Sequence, residues 1–187
     1  MTMVSFTIKP SLISCFVLII ISFASSSNAS NKVVDVNVIC KQTSYPSFCL
    51  NILNSSRPGG AKGVDLITLE EDTLGFNRGI ITTTLKIIES LIAQSGKDPK
   101  AKARYEQCLL KYGGNDGNKG ALGNILYAQE LLKKGDYVGV AHAAYAATTN
   151  VGDCNPDKSS LIPDFSDFVV KADDVIITIS KLLLDKQ

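Results

Sequence analysis

The side chains of this chain that could do chemistry are first of all its cysteines, which could form disulfides, bind a metal ion or carry out redox chemistry. Zinc sites use closely spaced C-x₂₋₄-C pairs and redox sites use C-x-x-C, and neither spacing is present here. Four cysteines follow the apolar N-terminal segment, at Cys40, Cys49, Cys108 and Cys154. An even number in an oxidising compartment indicates two disulfides, for which three connectivities are possible.

Other catalytic groups are few. His142 is the only histidine, and no serine or cysteine nucleophile signature surrounds it, so we predict that it packs or faces solvent. The acidic runs Glu70–Asp72 and Asp173–Asp174 are the next candidates. Neighbouring helix positions point about 100° apart, so we predict that these runs form a solvated face rather than one ligand site. Di-metal sites in helix bundles need Glu-x-x-His pairs, which one histidine does not supply. We therefore predict no catalytic site, no bound metal and no cofactor.

The N-terminus predicts a signal peptide over residues 1–29. Lys9 is the only charge before Lys32, and an apolar run extends over Ser11–Ala24. Small residues follow, with cleavage predicted after Ala24 or Ala29. A membrane span needs roughly 20 apolar residues, and this run is shorter, so we expect a secreted chain with no membrane segment in its mature form.

The charges of the mature chain are balanced. Without Lys9 the 19 basic residues become 18, which equals the 18 acidic residues. No basic patch stands out, which argues against nucleic acid as a partner. Asn54-Ser55-Ser56 is a glycosylation sequon, so Asn54 is a candidate glycosylation site if the chain is secreted.

The hydrophobic periodicity is helical almost throughout, which predicts an all-α fold. We expect one domain over residues 30–187, with a helical hairpin at 30–55 and an up-and-down four-helix bundle at 65–187. Pro46 is predicted to start the second arm of the hairpin, with Ser44 or Tyr45 as its cap. The long helices are predicted to begin at Asp65, Asp98, Asp136 and Phe165, and the glycine-rich segment Gly113–Gly120 is predicted to interrupt the second.

Four motifs give the chain a family resemblance. They are "CKQTSYPSFC" (Cys40–Cys49), "DPKAKARYEQC" (Asp98–Cys108), "GDY" (Gly135–Tyr137) before an alanine-rich helix, and the terminal "ADDVIITISKLL". In their order and cysteine spacing they resemble the plant invertase and pectin methylesterase inhibitor family, a group of secreted four-helix bundles. The resemblance covers Asn31 to Leu184.

The resemblance implies the disulfides Cys40–Cys49 and Cys108–Cys154, and the position of the first pair in one predicted hairpin agrees with it. It also implies a protein inhibitor that covers the substrate cleft of a carbohydrate-active enzyme in the apoplast or cell wall, or in the vacuole. Invertase inhibitors often carry a "PKF"-type element after the Gly-Asp that precedes the alanine-rich helix. Here "GDYVG" (Gly135–Gly139) stands there, which favours pectin methylesterase as the target, with invertase as the alternative.

The polar positions beside the matched motifs are the candidate contact residues, namely Arg104, Glu106, Tyr112 and Asp136. Each also has a local interpretation, as a helix contact, a packed side chain or a cap. Family members usually continue with a "Y-x-D-A"-type segment, whereas glycines follow Tyr112 here and Asp116 comes later. A secreted carrier of a small apolar ligand is a further alternative, although a bundle core explains the apolar stripes more simply.

Overall fold

The computed structural model describes residues 34–56, 60, 63–154 and 165–186, and within them the chain forms helices and no β-strand. The predicted all-α class is therefore confirmed, while the predicted signal peptide lies outside the described residues. None of the described helices is long and apolar enough to cross a membrane. The helices are α1 Val36–Cys40, α2 Pro46–Ser55, α3 Leu66–Gln94, α4 Pro99–Gly113, α5 Gly120–Lys133, α6 Tyr137–Cys154 and α7 Phe165–Leu184.

The bundle has four sides, one of which is split as the glycine-rich segment predicts. The 29-residue helix α3 packs against α4, α5 and α7, and α6 packs against α4, α5 and α7. The pair α4–α5 therefore acts as one interrupted side of an up-and-down four-helix bundle. Its core is aliphatic and fully buried, with Ile81, Ile88, Ile125, Val140 and Ile176 among its members.

Three aspartates fix where the long helices begin. The first backbone N–H groups of a helix have no partner within the helix, and an aspartate carboxylate before the first turn accepts from one of them. The predicted caps are confirmed by Oδ1···N distances in the pairs Asp65–Thr68 at 3.0 Å, Asp98–Ala101 at 3.0 Å and Asp136–Gly139 at 2.9 Å.

The chain has two disulfides among its described residues, and their pairing is the one that the resemblance implies. Cys40–Cys49 closes the hairpin formed by α1 and α2. Cys108–Cys154 links α4 to the last residue of α6, across a sequence separation of 46 residues. All four cysteines are buried, so both bridges lie within the packed core rather than on the surface.

The hairpin is fastened to the bundle through α7 and through aromatic packing. The backbone N–H of Ser44 donates to Asp174 Oδ2 at 2.7 Å, and its hydroxyl donates to Asp174 Oδ1 at 3.1 Å. Tyr45 precedes α2 as its cap residue without a side-chain cap bond. The ring of Phe48 lies 6.2 Å from that of Phe76 on α3 and 6.0 Å from that of Phe168 on α7.

The prediction of a solvated face for the two acidic runs is wrong for one member of each run. Glu70 and Asp173 are fully buried, whereas Glu71 beside Glu70 is exposed and Asp174 beside Asp173 is half-buried. The reason is their place on the helix. Glu70 shares the inward side of α3 with Leu74 and Ile81, which lie four and eleven residues further along the helix.

The longer disulfide loop should contribute more to stability than the shorter one. Because a cross-link restricts the unfolded chain more when its loop is longer, we expect the pair Cys108→Ser/Cys154→Ser to lower the free energy of unfolding by ~4 kcal/mol, against ~2.7 kcal/mol for Cys40→Ser/Cys49→Ser. Urea unfolding of the two variants beside the parent chain measures both values. An equal loss in the two variants, or the reverse order, would contradict the chain-entropy account.

Candidate functional site: the outer face of α6

Helix α6 owes its position to small side chains on its inner side. Ala143, Ala144 and Ala147 are buried there together with Val140 and Val151. Small residues let two helix axes approach closely. Gly139 shows how close α5 comes, because a Cβ atom built on it would lie 2.9 Å from Leu131 Cδ1.

The opposite side of α6 carries a row of exposed side chains. Val138, His142, Tyr145 and Thr149 recur at intervals of four, three and four residues, so they form one stripe along the helix. Val138 is 48% exposed and Tyr145 is 66% exposed, although both are large apolar or aromatic residues. Large apolar and aromatic side chains that are exposed together on one helix face make that face a candidate interaction surface.

This stripe is also free of charged side chains that could repel a partner. Helix α6 contains no lysine, arginine or glutamate, and its one aspartate, Asp153, forms an ion pair with Lys111 of α4 at 2.7 Å. By contrast, the solvent side of α3 carries Glu71 and Arg78. Depletion of charge together with exposed tyrosine is typical of the centre of a protein–protein interface.

Tyr127 of α5 extends the stripe sideways. Its ring is 39% exposed, and Lys119 Nζ lies 3.3 Å from the ring centroid, a cation–π contact that holds the ring in place. Tyr127 lies one turn before Leu131, the residue that meets Gly139. Because α5 and α6 are antiparallel, Tyr127 therefore lies beside the turn of α6 that contains His142. We call Tyr127, Val138, His142, Tyr145 and Thr149 the contact face.

The glycine-rich interruption forms an ordered turn at the far end of this face. Asn115 and Asn118 exchange backbone hydrogen bonds of 2.8 and 3.1 Å, and Asn118 Nδ2 donates to Asn150 Oδ1 of α6 at 3.4 Å. Gly114 has φ +89°, and a Cβ there would lie 2.5 Å from Asn118 O, so this turn requires glycine. The turn leaves Asp116 exposed to solvent.

One of the four sequence-predicted contact residues is a core residue. Tyr112 is 0% exposed, and burial raises the pKa of its phenol. A side chain without surface does not touch a partner, so the structure removes Tyr112 from the candidate contacts. Its large ring fills the space where α4 meets the core, which is the packing interpretation of that position.

The remaining three candidates do not converge on one surface. Arg104 and Glu106 are both exposed on α4, but residues that are two positions apart on a helix point about 160° away from each other. Glu106 Oε1 lies 3.9 Å from Lys102 Nζ on the same helix. The Cys108–Cys154 bridge places this part of α4 near the C-terminal end of α6. Asp136 precedes the N-terminal end of α6, about 27 Å away along the helix. Of the three, Asp136 alone adjoins the contact face.

The contact face itself was missed by the sequence reasoning, although a signal for it exists. The stretch from Tyr137 to Gly152 contains no Asp, Glu, Lys or Arg, yet its helix lies on the surface of the bundle. Tyr145 and Val138 lie off the side of that helix on which the alanines recur, so they are expected to face outwards.

The sequon residue Asn54 is exposed at the end of α2, and its glycosylation stays a prediction.

Among the described residues, no group of three or more His, Cys, Asp or Glu side chains comes together in a way that could hold a metal ion. What the arrangement offers is a helical ridge with two exposed tyrosines and few charges, which is suited to contact with another protein.

Comparison with known proteins identifies relatives of one kind, although no family model matches the chain. Pectinesterase inhibitor 1 from Arabidopsis thaliana is 32% identical over 127 residues, which is 68% of this chain and 66%, just under two thirds, of that protein. A pectinesterase inhibitor from Actinidia deliciosa is 32% identical over 155 residues, 79% of this chain and 78% of that protein.

The solved structures that resemble this chain are proteins of the same kind as these relatives. The crystal structure of a mutant form of a pectin methylesterase inhibitor from Arabidopsis superposes with a TM-score of 0.65 at 29% identity, covering 79% of this chain and 95% of that one. A second crystal structure of a pectin methylesterase inhibitor from Arabidopsis thaliana gives a TM-score of 0.57 at the same identity and coverage. From its relatives, its two disulfides and its all-α bundle, the chain belongs to the plant invertase and pectin methylesterase inhibitor family.

Proposed function

We propose that this chain is a proteinaceous inhibitor of pectin methylesterase that works by covering the substrate cleft of the enzyme. The observation that carries the proposal is the contact face on a chain of this family. It combines a stripe of α6 without lysine, arginine or glutamate with two exposed tyrosines, Tyr145 and Tyr127. Inhibition in this account is steric. It needs surface and shape, and it needs no reactive group on the inhibitor.

The ridge has dimensions that suit an elongated cleft. From Val138 to Thr149 the stripe covers eleven helical steps, or about 16 Å along the axis of α6. A helix is convex across its axis, so it can enter a groove that accepts an extended polymer. Tyr127 on the neighbouring helix would then contact the wall of the groove beside the ridge.

The bundle is well prepared to bind without rearrangement. The Cys108–Cys154 bridge fixes the end of α6, and Asp136 caps its beginning. Lys119 restrains Tyr127. Ordering a surface before association lowers the entropy cost of binding, so each restraint supports affinity without making a contact.

The proposed place of action is outside the cell, in the apoplast or cell wall. Two buried disulfides fit an oxidising compartment. Arg104 and Glu106 are exposed and stay candidate contacts, but at most one of them can face the same partner surface because they point about 160° apart. Asp136 is proposed to act chiefly as the cap of α6. It fixes where the helix begins and therefore where Val138 lies on the contact face.

The proposed target predicts the result of a direct inhibition assay. Purified, oxidised protein should inhibit pectin methylesterase in a saturable manner at equimolar ratio, because one face covers one cleft. It should leave invertase active and show no saturable binding of a fluorescent lipid. Potent inhibition of invertase with no effect on a panel of pectin methylesterases would overturn the proposal, and saturable lipid binding without inhibition would favour a carrier.

A charge placed in the contact face should weaken inhibition. Val138→Asp buries an unpaired carboxylate at the interface, so we expect at least a tenfold higher inhibition constant, equivalent to about 1.4 kcal/mol. Val38→Asp is the matched control, because Val38 is 54% exposed on α1 rather than on α6. Equal effects of the two substitutions would contradict the assignment of the face, and circular dichroism checks that both variants fold.

Tyr145 should be the strongest single contact. Tyrosines at the centre of an interface often contribute ~2 kcal/mol or more, so Tyr145→Ala should raise the inhibition constant about thirtyfold. Tyr45→Ala serves as the matched control, since Tyr45 is also exposed but belongs to the hairpin, where it lies beside Lys171 of α7. Retention of full inhibition by the Tyr145 variant would exclude this residue from the interface.

A further inference from the structure

Two polar layers cross the otherwise apolar core between α3, α6 and α7. In the first, the Ser180 hydroxyl of α7 donates to Glu70 Oε1 of α3 at 2.6 Å. In the second, Asp173 of α7 accepts from Asn77 Nδ2 of α3 at 2.6 Å and from the Thr148 hydroxyl of α6 at 2.8 Å. Glu70, Asn77, Asp173 and Ser180 are all 0% exposed, so these bonds are shielded from water.

The layers are in register along the antiparallel pair α3–α7. Glu70 and Asn77 are seven residues apart on α3, and Ser180 and Asp173 are seven residues apart on α7, which on each helix is about 10.5 Å. A slip of one helical turn would break both layers at once. The polar groups therefore fix the alignment of these two helices, a known use of buried polar side chains.

Neither buried carboxyl has a cationic partner in the described part of the chain. On the elements packed against them, Glu71 and Arg78 of α3, Lys133 of α5, His142 of α6 and Lys181 of α7 face solvent, and Lys171 pairs with Asp167. Asp174 turns towards Ser44 of the hairpin. From α4, the buried side chains with an ionisable group are the phenols of Tyr105 and Tyr112, and neither is a cation.

An unpaired carboxylate at such a site is costly, so the proton is held more tightly in the folded chain. Burial raises the pKa of Glu70 well above its ordinary value of 4.5, and the Ser180 hydroxyl offsets only part of this. Burial also raises the pKa of Asp173 well above 3.8, against the smaller effects of Thr148 and Asn77. Glu70 Oε2 has no hydrogen-bond partner among the described residues, which adds to the cost of ionising it.

We propose that Glu70 and Asp173 form a proton-dependent lock, which holds α7 against α3 and α6 when both carboxyls are neutral and loosens when they ionise. Below their ordinary pKa values both carboxyls are protonated in the folded and unfolded chain alike, so the lock is fully formed there and their titration does not make stability depend on pH. As the pH rises above these values, the unfolded chain releases protons that the folded chain keeps. Stability therefore falls with rising pH until the folded carboxyls ionise.

The lock reaches the hairpin as well as the bundle. Asp173 and Asp174 are adjacent on α7, one turned into the core and the other bonded to Ser44. Loosening of α7 therefore weakens the attachment of α1 and α2 together with the α3–α7 register. This inference concerns the fold itself and does not depend on the proposed target enzyme.

Unfolding by urea between pH 4 and pH 9 tests the lock on the oxidised chain. For each carboxyl, the unfolding equilibrium constant of the parent chain should rise by up to tenfold per pH unit above its ordinary pKa. Glu70→Gln and Asp173→Asn should each remove one such contribution, so their constants should rise less steeply. Glu71→Gln is the matched control, because it changes the exposed neighbour of Glu70 in the same way.

The lock is overturned if Glu70→Gln and Asp173→Asn keep the pH slope of the parent chain. Any loss of stability is then equal at every pH, which indicates a structural role alone. If a variant does not fold, carboxyl ¹³C chemical shifts of the parent chain decide. Glu70 and Asp173 should titrate well above their ordinary pKa values of 4.5 and 3.8, and titration at those ordinary values would exclude the lock.

Discussion

The hydrogen bonds of Asp173 are the constraint on which the arrangement of the bundle depends. One buried carboxyl accepts from Asn77 of α3 and from Thr148 of α6, while its neighbour Asp174 holds Ser44 of the hairpin. Four separate elements are thus aligned by two adjacent residues of α7. Buried polar contacts add less net stability than apolar ones, but they penalise every other register because a shifted helix leaves them unpaired.

The position of α6 follows from this alignment and from its own composition. Thr148 directs one flank of α6 towards α7, and Gly139 and the buried alanines allow α5 to approach on the other. With both flanks and the inner side occupied, the stripe from Val138 to Thr149 is left facing outwards. The same helix that depends most on close packing therefore presents the surface proposed to bind the enzyme.

Much of the fold could be predicted from local signals. Aspartate caps, Pro46, the glycine-rich break and the cysteine order act within a few residues, so their effects can be recognised without a structure. The burial of Glu70 and Asp173 could not, because it depends on which side of each helix meets its neighbours and on donors from other helices. For the same reason Tyr112 was expected as a possible contact and is a core residue.

The contact face lies between these two cases. The absence of charge over Tyr137–Gly152 is visible in the sequence, but an alanine-rich, uncharged helix is equally consistent with full burial. The structure separates the two possibilities by leaving Tyr145 outside the core. The four contact residues predicted from the motifs do not share one surface. Residues that lie close to a motif in the sequence can point to different sides of a helix or lie at different ends of the bundle.

Hydroxyl-radical footprinting of the inhibitor alone and in the presence of pectin methylesterase would test the central claim most directly. The method reports the solvent access of individual side chains in solution. The account predicts that oxidation of Tyr145, His142 and Tyr127 falls in the complex, while that of Tyr45 and Phe168 at the hairpin stays unchanged. Protection of Tyr45 and Phe168 with undiminished oxidation of Tyr145 would show that the enzyme is held by a different face.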